Sequence, residues 1–206
     1  MSATAVTAID VAVSGLDVSV YEIPTDAPES DGTLRWDATT IVVVEAHAAD
    51  RTGIGYSYGP PAIAAFVEDQ LADIVIGADA LAVRRTWTQM DAAIRNAGRH
   101  GVGAMAVSAV DNALWDLAAR LLDLPLARLL GQIHEHANIY GSGGFCSYDR
   151  GRLQEQLGGW AQQGIGRVKM KIGRRPADDP DRLAWVGAAI GGAVEQIERA
   201  SCREGV

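Results

Sequence analysis

The stretch Val168-Lys169-Met170-Lys171-Ile172-Gly173 decides the fold, because it sets two lysines two residues apart inside a short apolar run that ends at glycine. This pattern predicts a strand over residues 167–172 with both amines on one face. Helical patterns at 149–163 and 178–190 flank the strand, and residues 138–141 are strand-like. A β-α-β-α order of this kind predicts a parallel sheet or a barrel.

The lysine pair itself has two interpretations, a catalytic site or two solvated side chains on an exposed strand face. Strands of a parallel sheet are buried on both faces, so a charged pair is costly there unless it faces a polar site. Parallel barrels also place their chemistry at the C-terminal ends of the strands. Mutual repulsion would lower a lysine pKa toward working pH, and the amine could then take a proton from the carbon beside a carboxylate. The resulting enediolate needs a divalent cation.

Upstream of residue 131 the patterns change to antiparallel strands followed by helices. Strands are predicted near 7–13, 17–23, 39–48 and 53–58, with turns at Gly15 and at the pair Gly53 and Gly55. The polar segment 24–32, bounded by Pro24, is predicted to be a loop. Helices are predicted near 61–76, 80–97 and 104–122, the last with an apolar stripe at spacings of three and four residues. A domain boundary is predicted near 131–137.

Composition excludes several classes of partner. The 206 residues are 48% apolar and 21% charged, which is typical of a globular protein, and the net charge is −8. The negative charge argues against nucleic acid or an anionic membrane as partner. The cysteines Cys146 and Cys202 form no paired motif, and the N-terminus has no signal-peptide pattern, so a cytoplasmic location is expected.

Several motifs, in this order and spacing, resemble the mandelate racemase/muconate lactonizing enzyme branch of the enolase superfamily. The resemblance covers about residues 1–190. The matching segments are Tyr21-Glu22-Ile23-Pro24-Thr25, Thr40-Ile41-Val42-Val43-Val44-Glu45, Gly53-Ile54-Gly55-Tyr56-Ser57-Tyr58, Ser108-Ala109-Val110-Asp111-Asn112-Ala113-Leu114-Trp115-Asp116-Leu117, Leu124-Pro125-Leu126, Leu129-Leu130-Gly131, Tyr140-Gly141-Ser142-Gly143-Gly144 and the lysine strand.

The resemblance implies an α+β capping domain, with an antiparallel sheet plus a helical bundle, followed by the start of a (β/α) TIM-type barrel. Residues 1–131 would form the capping domain, and residues 132–206 the first two barrel strands with their helices. Lys171 looks like the base that moves the α-proton, and Lys169 like the partner that faces the substrate carboxylate and depresses the pKa of the base. The implied substrate-binding residues are Pro24, Thr25, Asp26, Tyr56, Ser57, Tyr58, Ser142, Gly143 and Phe145.

The resemblance also implies a cofactor and a reaction. The full-length enzyme would use Mg²⁺ and a small-molecule carboxylate substrate, with sugar-acid dehydration expected first and racemisation or cycloisomerisation as alternatives. It would be a homo-oligomer without nucleic-acid or membrane partners. No metal ligand is assigned within this chain, because the family's acidic ligands are expected beyond its end.

The segment after residue 190 departs from the family pattern. It shows no strand ending in Asp-x-Asn, and residues 198–204 resemble translated sequencing-adapter read-through. We therefore expect that Val206 is not a natural terminus and that the tail 195–206 is artefactual. The alternative function is a catalytically inert fragment with only folding or dimerisation capacity, because two β/α units cannot close a barrel.

Four other features have plainer interpretations. His134 and His136 are expected in a solvated linker. Cys146 is expected to pack. Residues 141–144 lack a dinucleotide fingerprint, and either a tight turn or close approach of a ligand accounts for their glycines. For Tyr56 and Tyr58, half-buried packing and substrate contact stay equally open.

Overall fold

The computed structural model describes residues 11–192 and 194–200, and these residues form two compact units. The first unit contains residues 11–23 and 39–133. The second contains residues 24–38 and the described residues from 134 onward. No helix within the described ranges is long and apolar enough to span a membrane.

A three-stranded sheet supports the first unit. Its strands are β1 (Gly15–Ser30), β2 (Arg35–Ala48) and β3 (Arg51–Tyr58), in the order β1-β2-β3. The strands β2 and β3 are antiparallel, with a register that runs from Ile41 opposite Tyr58 to Ala48 opposite Arg51. Along β2 every second residue from Val42 to Ala48 is fully buried, so one face of the sheet supplies the core.

Helices cover that face, and they occupy the three predicted positions. They are α1 (Ala62–Phe66), a π-helical turn (Val67–Leu71), α2 (Ala72–Val75), α3 (Val83–Ala93) with a 3₁₀ turn (Ile94–Asn96), α4 (Val102–Leu121) and α5 (Leu126–Leu129). The predicted stripe of α4 is buried, including Val110, Leu114 and Leu117. Its period of 3.6 residues therefore located the core correctly.

The prediction of a turn at Gly53 and Gly55 is wrong. Both glycines lie inside β3, where α4 packs directly on the strand. A Cβ at Gly53 would meet the backbone of Ala113 and Leu117, and one at Gly55 would meet the carbonyl oxygen of Ala109. The glycines permit close packing of helix on sheet, which local sequence does not reveal.

The predicted loop 24–32 is also wrong over most of its length. Strand β1 continues to Ser30, and only the turn from Asp31 to Leu34 remains outside the strands. Pro24 and Pro28 fit because β1 is an edge strand of the sheet, where a missing N–H costs no ladder hydrogen bond. The strand predicted at 7–13 falls largely outside the described residues, and Ala12 forms an isolated bridge with Asp79.

The second unit contains a parallel sheet with the order β4-β5-β6. Its elements are β4 (Gly141–Ser142), α6 (Arg150–Gln162), β5 (Arg167–Ile172), α7 (Asp179–Ile190) and β6 (Glu195–Ala200). Strand β5 has the predicted bounds, whereas the strand predicted at 138–141 is shortened and shifted to two residues. No strand was predicted after α7, but β6 pairs in parallel with all of β5.

Candidate active site on the lysine strand

The pair Lys169 and Lys171 lies on the face of β5 opposite to its helices. Val168 and Met170 alternate with the lysines and are fully buried in a cluster with Leu153, Leu157 and Val186 of α6 and α7. Lys169 is only 9% exposed, and Lys171 is half-buried. These two are the only lysines of the chain. The exposed-face interpretation therefore does not apply to Lys169.

Tyr140 lies next to the lysine pair and was not assigned a role from the sequence. The Nζ atom of Lys169 is 5.3 Å from the centroid of the Tyr140 ring. A cation at this distance from an aromatic face is attracted by the quadrupole of the ring. The only sequence signal for this contact was the position of Tyr140 immediately before the glycine-rich segment.

The glycine-rich segment runs beside the lysines. Ser142 pairs with Lys169 in the parallel register, the Gly143 N–H donates to the Lys169 carbonyl at 3.1 Å, and the Lys171 N–H donates to the Gly144 carbonyl at 3.0 Å. The structure thus brings Ser142 and Gly143 to the lysine strand, and their contact with substrate stays a prediction.

Packing against α6 and β5 accounts for the glycines themselves. A Cβ at Gly141 or Gly143 would meet the Trp160 ring. One at Gly144, which has φ of +59°, would lie 2.6 Å from the Met170 Cβ. The Gly144 N–H also donates to Gln156 Oε1 at 2.9 Å. Close packing of neighbouring side chains, and not a turn alone, therefore requires glycine at these positions.

Residues 24–38, here called the hairpin tip, belong to the second unit and pack on the segment after β4. The Glu29 carboxylate accepts from the Trp36 indole N–H at 2.8 Å and from the Tyr148 hydroxyl at 3.3 Å. The Cys146 N–H donates to the Ser30 carbonyl at 2.7 Å. The Phe145 ring makes edge-on contacts with Trp36 and Tyr148, at centroid distances of 5.4 and 5.5 Å. The predicted role of Phe145 in the pocket floor stays a prediction.

Asp26 and Asp31 have different surroundings within the hairpin tip. Arg152 donates to the Asp26 carboxylate at 2.8 Å, and this hydrogen bond lowers the Asp26 pKa. Asp31 Oδ1 accepts from the N–H groups of Thr33 and Leu34 at 2.7 and 2.8 Å. The backbone hydrogen bonds from Leu34 and Thr33 lower the Asp31 pKa, and the positive charge of Lys171 adds to that effect.

The other predicted binding residues are less constrained. Pro24 is exposed, and the Thr25 hydroxyl is buried without a hydrogen-bond partner among the described residues. Tyr56, Ser57 and Tyr58 lie on β3 of the first unit, where the Tyr56 and Tyr58 side chains are 53% and 59% exposed. The two rings pack edge-on against each other with centroids 5.7 Å apart, and their contact with substrate stays a prediction.

Arg182 was not identified from the sequence and holds the segment after β4. It is 6% exposed and donates from Nη1 to the Tyr148 carbonyl and from Nη2 to the Phe145 carbonyl, both at 2.9 Å. Burial raises the pKa of the nearby Cys146 thiol, which favours the unreactive thiol form and supports its interpretation as a packing residue.

The described residues do not fit a magnesium site. No group of three His, Cys, Asp or Glu side chains within them is placed to hold a metal ion. His134 and His136 are exposed in the linker before β4. The expectation that acidic ligands lie beyond this chain stays a prediction.

Comparison with known proteins agrees with this fold. Residues 30–131 match the model of the mandelate racemase/muconate lactonizing enzyme N-terminal domain. The 3,6-anhydro-alpha-L-galactonate cycloisomerase of Streptomyces coelicolor is 30% identical over 181 residues, which are 84% of this chain and 50% of that protein. A mandelate racemase/muconate lactonizing enzyme-like protein from Rubrobacter xylanophilus has 59% identity and a TM-score of 0.89, over 91% of this chain and 52% of that chain.

A further solved structure is that of L-talarate/galactarate dehydratase from Salmonella typhimurium LT2, liganded with Mg and L-lyxarohydroxamate. It is 26% identical with a TM-score of 0.87, over 100% of this chain and 56% of that chain. The chain thus spans about half the length of the relatives it matches. The matched motifs, the domain model and the shared fold show that the chain belongs to the mandelate racemase/muconate lactonizing enzyme family of the enolase superfamily.

Proposed function

We propose that the complete enzyme containing this chain abstracts the proton α to the carboxylate of a sugar acid, in a dehydration or a cycloisomerisation. The observation that carries the proposal is the buried Lys169 two residues from Lys171 on a parallel strand. Burying a cation is costly unless a counter-charge or ligand compensates for it. A substrate carboxylate would be such a counter-charge, and the named relatives act on sugar acids or their derivatives.

In this proposal the two lysines have different roles. Lys169, the more buried and the nearer to the start of β5, binds the substrate carboxylate through its ammonium group. Lys171, nearer the C-terminal end of the strand, takes the α-proton on Nζ when that amine is neutral. The hydrogen bond from the Lys171 N–H to Gly144 fixes its backbone beside the glycine-rich segment. The spacing of two residues holds both side chains on one face.

We propose Mg²⁺ as the cofactor of the complete enzyme, with ligands supplied by residues outside the described ranges. When bound, the cation would stabilise the negative charge of the enediolate. The described residues provide no three-ligand set for it, so the part of the mechanism assigned to this chain is proton transfer and carboxylate binding.

The second candidate is an inert 206-residue chain, and metal binding distinguishes it from a chain with a competent site. A chain with a competent site would gain about 2.7 kcal/mol of stability when Mg²⁺ reaches 100 times its Kd. We expect no rise in the melting temperature of this chain with Mg²⁺, using Ca²⁺ at equal ionic strength as the control. A saturable, Mg²⁺-specific rise would contradict the inert-chain candidate.

The proposed reaction is tested by incubating the complete enzyme with a panel of sugar acids in D₂O containing Mg²⁺. We expect the ¹H signal of the α-proton to disappear for at least one acid, with or without formation of a 2-keto product. Retention of that signal in every acid of the panel would refute the proposed function.

A further inference from the structure

The three acidic side chains between residues 24 and 31 differ in how many of their oxygen atoms are already bonded. Arg152 neutralises Asp26, and Trp36 and Tyr148 occupy the two oxygens of Glu29. Asp31 uses Oδ1 for its turn, receiving the Thr33 and Leu34 N–H groups. Among the described residues no hydrogen bond reaches Asp31 Oδ2. The turn therefore holds a carboxylate with one oxygen open to a ligand.

Backbone hydrogen bonds place this carboxylate close to Lys171. The Lys171 N–H donates to Gly144 at 3.0 Å, and two residues later the Cys146 N–H donates to Ser30 at 2.7 Å. Asp31 directly follows Ser30. The charge of Lys171 also acts on the Asp31 carboxylate, which agrees with this placement. Asp31 is thus near the C-terminal end of β5, beyond Lys171.

The position of Asp31 is held from several sides. Ser30, only 2% exposed, is fixed through its carbonyl, and the Glu29 carboxylate bonds both Trp36 and Tyr148. Arg182 in turn holds the carbonyls of Phe145 and Tyr148. A carboxylate whose backbone is held in this way cannot withdraw from a ligand of like charge without breaking these contacts.

The order along the strand is therefore Lys169, Lys171 and then Asp31. In the proposed function Lys169 binds the carboxylate of a sugar acid and Lys171 faces its α-carbon. Asp31 would then face the remaining hydroxylated carbons. An ionised carboxylate accepts hydrogen bonds from hydroxyl groups and repels a second carboxylate. Its lowered pKa keeps Asp31 ionised across the neutral range.

We propose that Asp31 selects sugar acids with a single carboxylate, the aldonic acids, and disfavours aldaric acids, whose far end is a second carboxylate. The inference rests on the proposed function and adds a substrate class to it. Asp31 makes the contact through Oδ2 and accepts a hydrogen bond from a hydroxyl group of the chain beyond the α-carbon.

One nearby cation could act in the opposite direction. Arg174 Nη1 lies 3.5 Å from the Leu34 carbonyl of the same turn. If this guanidinium faced the substrate, a second carboxylate would be favoured rather than disfavoured. The direction of the preference therefore decides between the two groups.

The test compares kcat/KM of the complete enzyme for an aldonate and the aldarate of the same configuration, which differ only in CH₂OH against COO⁻ at the last carbon. We expect the wild type to prefer the aldonate by at least about tenfold, a size reasonable for two like charges in contact near a protein surface. Asp31→Asn keeps the Oδ1 acceptor of the turn and should reduce the preference about tenfold by removing that repulsion. Asp37→Asn, at an exposed position of the same hairpin tip, is the matched control and should leave the preference unchanged.

Three outcomes overturn the inference. A wild-type preference for the aldarate would do so without any variant, and so would an unchanged preference in a folded Asp31→Asn enzyme. If neither acid exchanges its α-proton and no other sugar acid does, the proposed function fails and the inference fails with it. Exchange with a reversed preference, by contrast, refutes only the inference.

Discussion

Replacing Arg182 by methionine tests how the segment after β4 is held. Arg182 is 6% exposed, and its guanidinium donates to two backbone carbonyls at 2.9 Å and has no carboxylate within ion-pair distance among the described residues. Hydrogen bonds from a charged donor contribute about 1.5–3 kcal/mol each. Methionine would remove both bonds, but it would also remove a buried cation whose Nε has no partner. The two bonds together are worth about 3–6 kcal/mol and desolvating that group costs about 1–3 kcal/mol, so the net loss lies between about 0 and 5 kcal/mol, with about 2–3 kcal/mol expected at mid-range.

Hydrogen exchange followed by mass spectrometry measures this loss locally. The amides of Cys146 and Tyr148 donate to Ser30 and Phe145, so both should exchange faster in Arg182→Met. A loss of 2–3 kcal/mol corresponds to an acceleration of about 30- to 150-fold if local opening limits exchange. Arg150→Met is the control, because Arg150 is exposed and its guanidinium is 6.0 Å from the Trp185 ring centroid. Equal exchange in Arg182→Met and wild type would refute the reasoning.

Two further perturbations test the first unit and the hairpin tip. Gly55→Ala should lower the free energy of unfolding by about 1–3 kcal/mol, because the new methyl would overlap the α4 backbone. Gly15→Ala, whose Cβ would lie 3.9 Å from the nearest atom, is the control in urea unfolding, and equal losses would contradict the close packing of α4 on β3. Asp31 should stabilise the fold at pH values above 3.8, the ordinary pKa of an aspartate. This contribution should be lost as the pH falls through the lower pKa that Asp31 has in the folded state. Asp31→Asn should therefore reduce the fall in stability between pH 5 and pH 2 relative to Asp37→Asn, and identical pH profiles would show that Asp31 is not held as described.

The parts of the fold that local pattern determines were predicted correctly. The alternation of Val168, Lys169, Met170 and Lys171 located β5, and the 3.6-residue stripe located α4. Each of these two patterns is set within one secondary-structure element, by which of its faces are buried. The family and the two-part architecture are likewise confirmed by the comparisons.

The errors have tertiary causes. Pro24 and Pro28 suggested a loop, but an edge strand tolerates proline because one side of its backbone makes no ladder bonds. Gly53 and Gly55 suggested turns, but the approach of α4 requires them. Strand β6 was not predicted, because its residues include the charged Glu195, Glu198 and Arg199. It is defined by its backbone pairing with β5, which the local sequence does not show.

The candidate site was predicted only in part, for a related reason. The lysine pair is local and was found directly. Tyr140 and Arg182 reach their contacts across 29 residues and more, and nothing in their immediate sequence marks them. The Asp31 oxygen that makes no hydrogen bond within the described ranges could not be found, because residues 24–32 were predicted to be a loop and the position of the turn that begins at Asp31 was unknown.

The assignment of Lys171 as the base is the central claim, and solvent exchange of the substrate's α-proton tests it most directly. In the complete enzyme with an accepted sugar acid in D₂O, Lys171→Ala should abolish exchange, and Lys171→Arg should do the same while keeping the positive charge. Lys169→Ala should retain measurable exchange with a raised KM, since its proposed role is to bind the carboxylate. Exchange at the wild-type rate in Lys171→Ala would show that another group removes the proton.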